Sequence, residues 1–177
     1  MKIIYRYVNT SVGSILLGGT ADSLMNLRFS SCGKPSPPEK GWRLDDSAFN
    51  DVKEQLLSYF DGVLKTFTVP TDPEGTPFQQ KVWKTLREIP YGETISYRQL
   101  ARISGNPRAA RAVGGANGRN PIPIIIPCHR VIASDGSLGG YSGGTGIKRI
   151  LLAHENAERL RGKSRHHTTE SAPLRSF

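Results

Sequence analysis

From Asn120 to Ile132 the chain reads Asn-Pro-Ile-Pro-Ile-Ile-Ile-Pro-Cys-His-Arg-Val-Ile, the stretch that leaves its backbone least freedom. Isoleucine is stiff at χ1 and suits a pleated, buried surface, so Ile122–Ile126 predicts a buried strand segment. Pro127 has no amide N–H to give to a ladder, so the strand must end there and the chain must turn. Cys128 and His129 are then presented by a fixed backbone where the strand stops. The thiolate, not the thiol, is the nucleophile, and a free cysteine with a pKa of about 8.5 needs a nearby base or positive charge. A thiol beside an imidazole is therefore a candidate activated nucleophile.

The 177 residues suffice for one large domain or two small ones, each with a modest core. No apolar run is long enough to span a bilayer. The N-terminus, Met1-Lys2-Ile3-Ile4-Tyr5-Arg6-Tyr7, alternates and lacks the continuous core of a signal peptide. The expected location is cytoplasmic and nucleoid-associated, or nuclear in a eukaryote. Cys32 and Cys128 do not make a disulfide framework, and Cys32, in a Ser-Ser-Cys-Gly-Lys-Pro loop, reads as incidental. Neither the number nor the spacing of Cys and His suits zinc, and His166-His167 reads as part of a solvated tail. No metal or cofactor is expected.

Charge divides the chain. Residues 1–76 carry 8 basic and 9 acidic side chains, a net −1, whereas residues 77–160 carry 12 and 5, a net +7. Residues 161–177 add 4 basic and 1 acidic, a net +3. Basicity confined to one segment suggests a nucleic-acid face there. The expected division is a structural α/β domain over 1–70, a Pro-rich linker over 71–76, a basic domain over 77–160 and a flexible basic tail over 161–177.

In the first part, residues 2–8, 14–19 and 23–29 read as strands of a meander. Asp45-Asp46-Ser47 offers N-caps for a helix with Phe49, Val52, Leu56, Leu57 and Phe60 on its apolar face, ended by Gly62. Lys65–Val69 reads as one more short strand. No reactive cluster lies here, so the reading is a scaffold.

In the second part, Thr76-Pro77 starts a helix through Phe78, Val82, Trp83 and Leu86. Tyr97–Ile103 is a short helix, Ser104-Gly105 a tight turn, and Asn106 caps a helix running from Arg108 to Asn117. Helix, Gly-containing turn, helix is a helix-turn-helix signal, although helical hairpins that never touch DNA are common. The second helix is slim, its side chains nearly all Ala, Gly or Val except Arg108 and Arg111. It could pack closely on a neighbour, or lay its backbone near a narrow groove while an arginine reaches between the strands. Ala133–Leu138 reads as a hairpin-like turn. Gly139 to Gly146 is a Gly-rich loop able to approach a flat ligand, and does not match a phosphate-binding loop. Ile147–Glu155 reads as a final helix.

If that helix packs beneath the strand end, Glu155 orients the imidazole of His129, as the carboxylate of a triad does. Spacing alone leaves three readings open: such a triad, a cysteine hydrolase, or a buried structural cysteine beside a satisfied histidine.

The string Ile126-Pro127-Cys128-His129-Arg130-Val131 resembles the active-site signature of the O6-alkylguanine-DNA alkyltransferases. The similarity continues in Phe78-Gln79-Gln80-Lys81-Val82-Trp83, Ile89-Pro90-Tyr91-Gly92-Glu93-Thr94, Ser96-Tyr97, Ala109-Ala110-Arg111-Ala112-Val113-Gly114, Asn120-Pro121, Gly140-Tyr141-Ser142-Gly143-Gly144 and Leu151-Leu152-Ala153-His154-Glu155. It covers residues 77–155 in order. The resemblance implies an α+β, two-domain fold: a small RNase H-like N-terminal domain and a winged helix-turn-helix-like C-terminal domain. It implies a suicide methyltransferase acting on double-stranded DNA that contains O6-alkylguanine, with O4-alkylthymine left open. The lesion would be flipped from the helix and its alkyl group moved once, irreversibly, to Cys128.

By matching positions, His129 is the water-linked base, Glu155 its orienter, and Asn120 the brace of the active-site turn. Tyr97 helps rotate the lesion phosphate and gives its phenol proton towards the leaving purine. Arg111 fills the gap left by the flipped base, and Arg108, Ala109, Ala110 and Gly114 share the DNA-binding face. Tyr141, Ser142, Val131, Gly139 and Asn117 line the pocket. Arg119 lies in a variable part of the pattern and is assigned no more than phosphate contact. The zinc ligands of some relatives are absent. A monomer is expected in solution, with cooperative coating of DNA left open. The rival of a different class is a non-catalytic lesion-binding helix-turn-helix protein, which the presence of Cys128 disfavours.

Overall fold

The structure, a computed structural model, describes residues 2–164. Three antiparallel strands, β1 (Ile4–Thr10), β2 (Gly13–Gly19) and β3 (Leu24–Phe29), form the expected meander. A two-residue strand, β4 (Arg43–Leu44), joins parallel to β1, giving the order β3-β2-β1-β4. Ile15, Leu16 and Leu17 on the inner strand β2 are fully buried, so the sheet is covered on both faces there.

Helix α1 (Asn50–Phe60) buries Val52, Leu56 and Tyr59. Its start differs from expectation. The Asp45 carboxylate accepts from the N–H and hydroxyl of Ser47, a closed local turn, and the helix begins after Phe49 at φ 53 with no side-chain cap. Gly62, at φ 76, follows its end. The strand expected over Lys65–Val69 does not form. The Thr68 N–H that a ladder would use donates to Gln55 Oε1 at 2.9 Å, and the chain meets β3 only at a single bridge between Leu24 and Thr71.

The second part begins with α2 (Pro77–Leu86), where Thr76 and Gln79 form a reciprocal capping box and Pro77 occupies the first turn. A second capping box, Ser96 with Gln99, starts α3 (Tyr97–Ile103). Helix α4 (Ala110–Gly118) begins two residues later than expected, because the Asn106 side chain accepts from Arg108 N–H in a turn of its own. Arg108 therefore precedes the helix instead of lying on its face. The small side chains of α4 let it pack closely: Trp83 Nε1 donates to the carbonyl of Ala116 at 2.9 Å, and Gly114 faces the ring of Tyr97. Strands β5 (Ile95–Ser96) and β6 (Val131–Ile132) pair in parallel. Helix α5 (Gly144–Ser164) starts three residues earlier than expected and enters the stretch assigned to the tail; residues 165–177 lie outside the described residues.

The expected strand over Ile122–Ile126 is a tight turn. Ile124 takes φ 73, Ile126 N–H donates back to the carbonyl of Ile122 at 2.9 Å, and Pro123 meets Ile126 in an isolated bridge. Pro123 and Pro127 remove two ladder donors, and the Asn120 side chain takes the Ile122 N–H, so little remains for a strand partner. The burial expectation holds, with all four isoleucines in the core. That core is shared: one apolar cluster includes Leu17, Leu27 and Leu56 from the first part and Val82, Ile126 and Leu151 from the second. Leu27 N–H also donates to the carbonyl of Pro121, so the sheet braces the turn that carries the cysteine.

Candidate active site

Cys128 opens a single 3₁₀ turn, Cys128–Arg130, directly after Pro127, and all three residues are buried. The Asn120 amide fixes this turn from below. Its Oδ1 accepts from Ile122 N–H at 3.0 Å, while Nδ2 donates to the carbonyl of Ile126 at 2.8 Å and to the Cys128 sulfur at 3.1 Å. Asn117 Nδ2 donates to the carbonyl of Cys128 at 3.4 Å. A donor aimed at sulfur favours the thiolate. Burial opposes it more strongly and pushes the thiol up to about 11, against smaller lowering effects of Asn120 and the charge of Lys148. The resting sulfur is thus a neutral thiol, and only loss of its proton to a base would make it a nucleophile.

The imidazole that the triad reading needs lies next in sequence. His129 Nε2 and Glu155 Oε1 are 2.7 Å apart, so α5 packs where the triad reading needs it. Burial holds the imidazole below its ordinary pKa despite the carboxylate, which leaves it neutral. Nε2–H then donates to Glu155, and Nδ1, which is buried and makes no hydrogen bond among the described residues, is left as an acceptor. Burial would raise the pKa of Glu155, but hydrogen bonds and charge from His129 and Arg130 outweigh it and hold the carboxyl at about 2.

Three residues given no role from sequence complete this centre. Arg130 donates from Nε to Glu155 Oε2 and from Nη2 to Oε1, both at 2.9 Å, and from Nη1 to the carbonyl of Ile89. Lys148 is fully buried, and its Nζ donates to the carbonyls of Val131 and Leu138, which ties β6 to the start of the Gly-rich loop. Tyr59, from the scaffold part, donates to Glu155 Oε1 at 2.9 Å. Lys148 and Glu155 share with Leu151 one buried stripe of α5, and charged residues on an apolar stripe were the available signal. Tyr59 offered none, since its partner lies 96 residues away.

In front of this buried group lies an open pocket of about 620 Å³, walled by Tyr97, Gly114, Asn117, Gly139, Tyr141 and Ser142, with Ala110 and Arg111 at its rim. Eight of the residues singled out from sequence therefore meet at one cavity. Cys128, His129, Asn120, Val131 and Glu155 sit in the protein interior instead of lining it. Gly139, at φ 66, lies so close to Tyr97 that a Cβ there would approach the phenol oxygen to 2.8 Å. Burial, then the nearby Cys128, raises the Tyr97 phenol, keeping it a proton donor. Arg108 and Ala109 fall elsewhere. They line a second groove with Phe78, Gln79, Arg111 and Arg119 on the other side of α4.

The first part of the chain also touches the pocket loop. Phe29 meets Tyr141 with its ring tilted, 5.8 Å between centroids, and occupies the space a side chain on Gly143 would need. No helix among the described residues is long and apolar enough to cross a membrane.

Two family models match successive parts of the chain. The ribonuclease-like domain of 6-O-methylguanine DNA methyltransferase matches residues 3–73, and the DNA-binding domain of the same family matches residues 77–157. A methylated-DNA–protein-cysteine methyltransferase from Methanosarcina acetivorans is 46% identical over 153 residues, covering 86% of this chain and 98% of the relative. Its namesake from Mycobacterium tuberculosis is 48% identical over 155 residues, covering 88% and 93%. Crystal structures of the M. tuberculosis O6-methylguanine methyltransferase, one of them in complex with DNA, align with TM-score 0.82 at 47% identity, covering 88% of this chain and 94% of theirs. The O6-methylguanine-DNA methyltransferase of Pyrococcus kodakaraensis aligns with TM-score 0.61 at 25% identity, covering 86% and 98%. With both of its parts matched, the chain belongs to the family of methylated-DNA–protein-cysteine methyltransferases.

Proposed function

We propose that Cys128 is the acceptor through which this methyltransferase repairs O6-alkylguanine in double-stranded DNA, and that each molecule acts once. The observation that carries the reading is the Asn120–Cys128–His129–Glu155 arrangement beside an open pocket lined by Tyr97, Asn117, Tyr141 and Ser142. Tyr97 and Arg111 stand at the pocket where a nucleotide would enter, and Arg111 takes the space of the flipped base in the helix. Glycines at 114 and 139 let a flat purine approach the backbone.

His129 Nδ1 accepts the thiol proton across one water, and the charge that develops on the imidazole is held by Glu155. The sulfur attacks the alkyl carbon in line with the O6–carbon bond. As the S–C bond forms, the C–O bond breaks; the purine takes a proton from the Tyr97 phenol, and the proton held by His129 returns through water to the phenolate. A thioether is a poor leaving group, so the modified Cys128 is not restored. Residues 1–70 brace the turn and the pocket loop, residues 71–76 link the parts, and residues 77–160 bind DNA. The protein acts where the DNA is, in the cytoplasm at a nucleoid or in a nucleus.

The test is stoichiometric loss of O6-methylguanine from a duplex, read by nucleoside chromatography. One lesion lost per protein molecule, and none with Cys128→Ala, supports the reading. Loss that continues past one equivalent refutes single turnover.

A further inference from the structure

We infer that Tyr59, a residue of the N-terminal scaffold, is a positioning residue of the reaction that sets the basicity of the Glu155–His129 pair. The inference rests on the assignment of Cys128 and His129 made above. Glu155 Oε1 receives three donors: His129 Nε2 at 2.7 Å, Tyr59 Oη at 2.9 Å and Arg130 Nη2 at 2.9 Å. Oε2 receives two more, Arg130 Nε at 2.9 Å and the backbone N–H of Gly92 at 3.0 Å. Glu155 is fully buried, so no bulk water shares the load. Each hydrogen bond a carboxylate accepts draws off charge and makes it a weaker acceptor for the others. Tyr59 and His129 compete on the same oxygen, so the phenol directly weakens the pull of the carboxylate on the imidazole.

Tyr59 is itself held firmly. It is fully buried on α1, between Phe60, Phe67, Tyr91 and His154 at ring distances of 5.2 to 6.0 Å, and its own carbonyl meets His154 Nε2 at 2.7 Å. Burial, followed by the charge of Glu155, raises its phenol far above the ordinary range, so it stays protonated and donates to the carboxylate. The other charged and titratable groups facing the pair are few. Lys148 from α5 and Arg130 from the 3₁₀ turn disfavour a charged imidazole, Tyr141 lies edge-on to the His129 ring at 6.4 Å, and Lys65 and Arg130 sit over the Tyr91 ring. None of these is on Glu155 Oε1 except Arg130, which removal of the Tyr59 hydroxyl leaves in place. The consequence is that α1 is a part of the active site as well as a support for it.

The experiment measures the single-turnover rate of Cys128 alkylation by O6-benzylguanine between pH 5 and 9 in the native protein, Tyr59→Phe and Phe67→Leu. Phe67 touches Tyr59, has no polar atom to offer Glu155 and serves as a packing control. In Tyr59→Phe the acidic limb of the profile should move up by about half a pH unit or more, the size expected when a charged carboxylate loses one hydrogen bond. Phe67→Leu should lower the melting temperature and leave the limb where it was. A limb in Tyr59→Phe that overlies the native one, or an equal shift in Phe67→Leu, overturns the inference. Absence of alkylation in the native protein would instead refute the assignment of Cys128.

Discussion

Asn120 Nδ2 donates to the sulfur of Cys128 at 3.1 Å, while Oδ1 of the same amide takes the N–H of Ile122. One side chain thus shapes the turn and stabilises the thiolate. Asn120→Ala leaves a buried backbone N–H unpaired and should lower stability by about 1–3 kcal/mol in denaturant melts. The rate with free O6-benzylguanine should fall about tenfold or more, because the sulfur loses the side-chain donor it has among the described residues. Asn120→Asp should be slower still, since a carboxylate beside sulfur disfavours a second negative charge.

Stability should peak near neutral pH, with two separable limbs. Glu155 titrates near 2 when folded and near 4.5 when unfolded, so its contribution is present above pH 4.5 and is lost as pH falls towards 2. That loss amounts to about 3 kcal/mol by linkage. His129, held below its ordinary 6.5, adds to the acid loss, because only the unfolded chain takes up its proton readily. On the alkaline side the unfolded thiol ionises near 9 and the folded one near 11, so stability falls between those values. Urea midpoints against pH should show both limbs, and Cys128→Ala should abolish the alkaline contribution of this group alone.

Arg111 is exposed at the pocket rim on α4, and under the proposed function it acts on the helix and not on the base being repaired. Arg111→Ala should slow repair of a duplex lesion by about tenfold or more, while reaction with free O6-benzylguanine changes by less than about threefold. Equal losses in both assays would remove Arg111 from the flipping step. Binding to undamaged duplex should weaken with salt, and the slope should be shallower in the variant by about one phosphate contact.

Once alkylated, Cys128 must fit an extra carbon among Ile126, Val131 and Asn120, in a site where the sulfur residue is 2% exposed. Overpacking of this kind costs about 1–3 kcal/mol. Calorimetry before and after reaction should show the methylated protein melting several degrees lower, and an unchanged melting temperature would show that the site relaxes around the methyl group.

What could be read from sequence followed the range of the interactions. The capping and Pro signals of Thr76-Pro77 are local, and α2 starts there. Burial of Ile122–Ile126 was legible from composition, but its backbone was not. The residue that diverts it from a strand is Asn120, whose side chain replaces a ladder partner. Gln55 does the same to Thr68 and removes the strand expected over Lys65–Val69. Most of the pocket residues came from motif strings and meet at one cavity. Tyr59 was hidden because nothing in its own segment marks a residue whose partner lies on α5. The scaffold reading of residues 1–70 was for that reason incomplete: Phe29 shapes the pocket loop and Tyr59 reaches the carboxylate.

The central claim is that the alkyl group ends on one sulfur. Intact-mass measurement after mixing the protein with an excess of duplex O6-methylguanine should show a gain of one methyl group per molecule. Peptide mapping should place it on Cys128, with exposed Cys32 unmodified. A methyl group on any other residue, or an unchanged mass while the lesion disappears, would contradict the account.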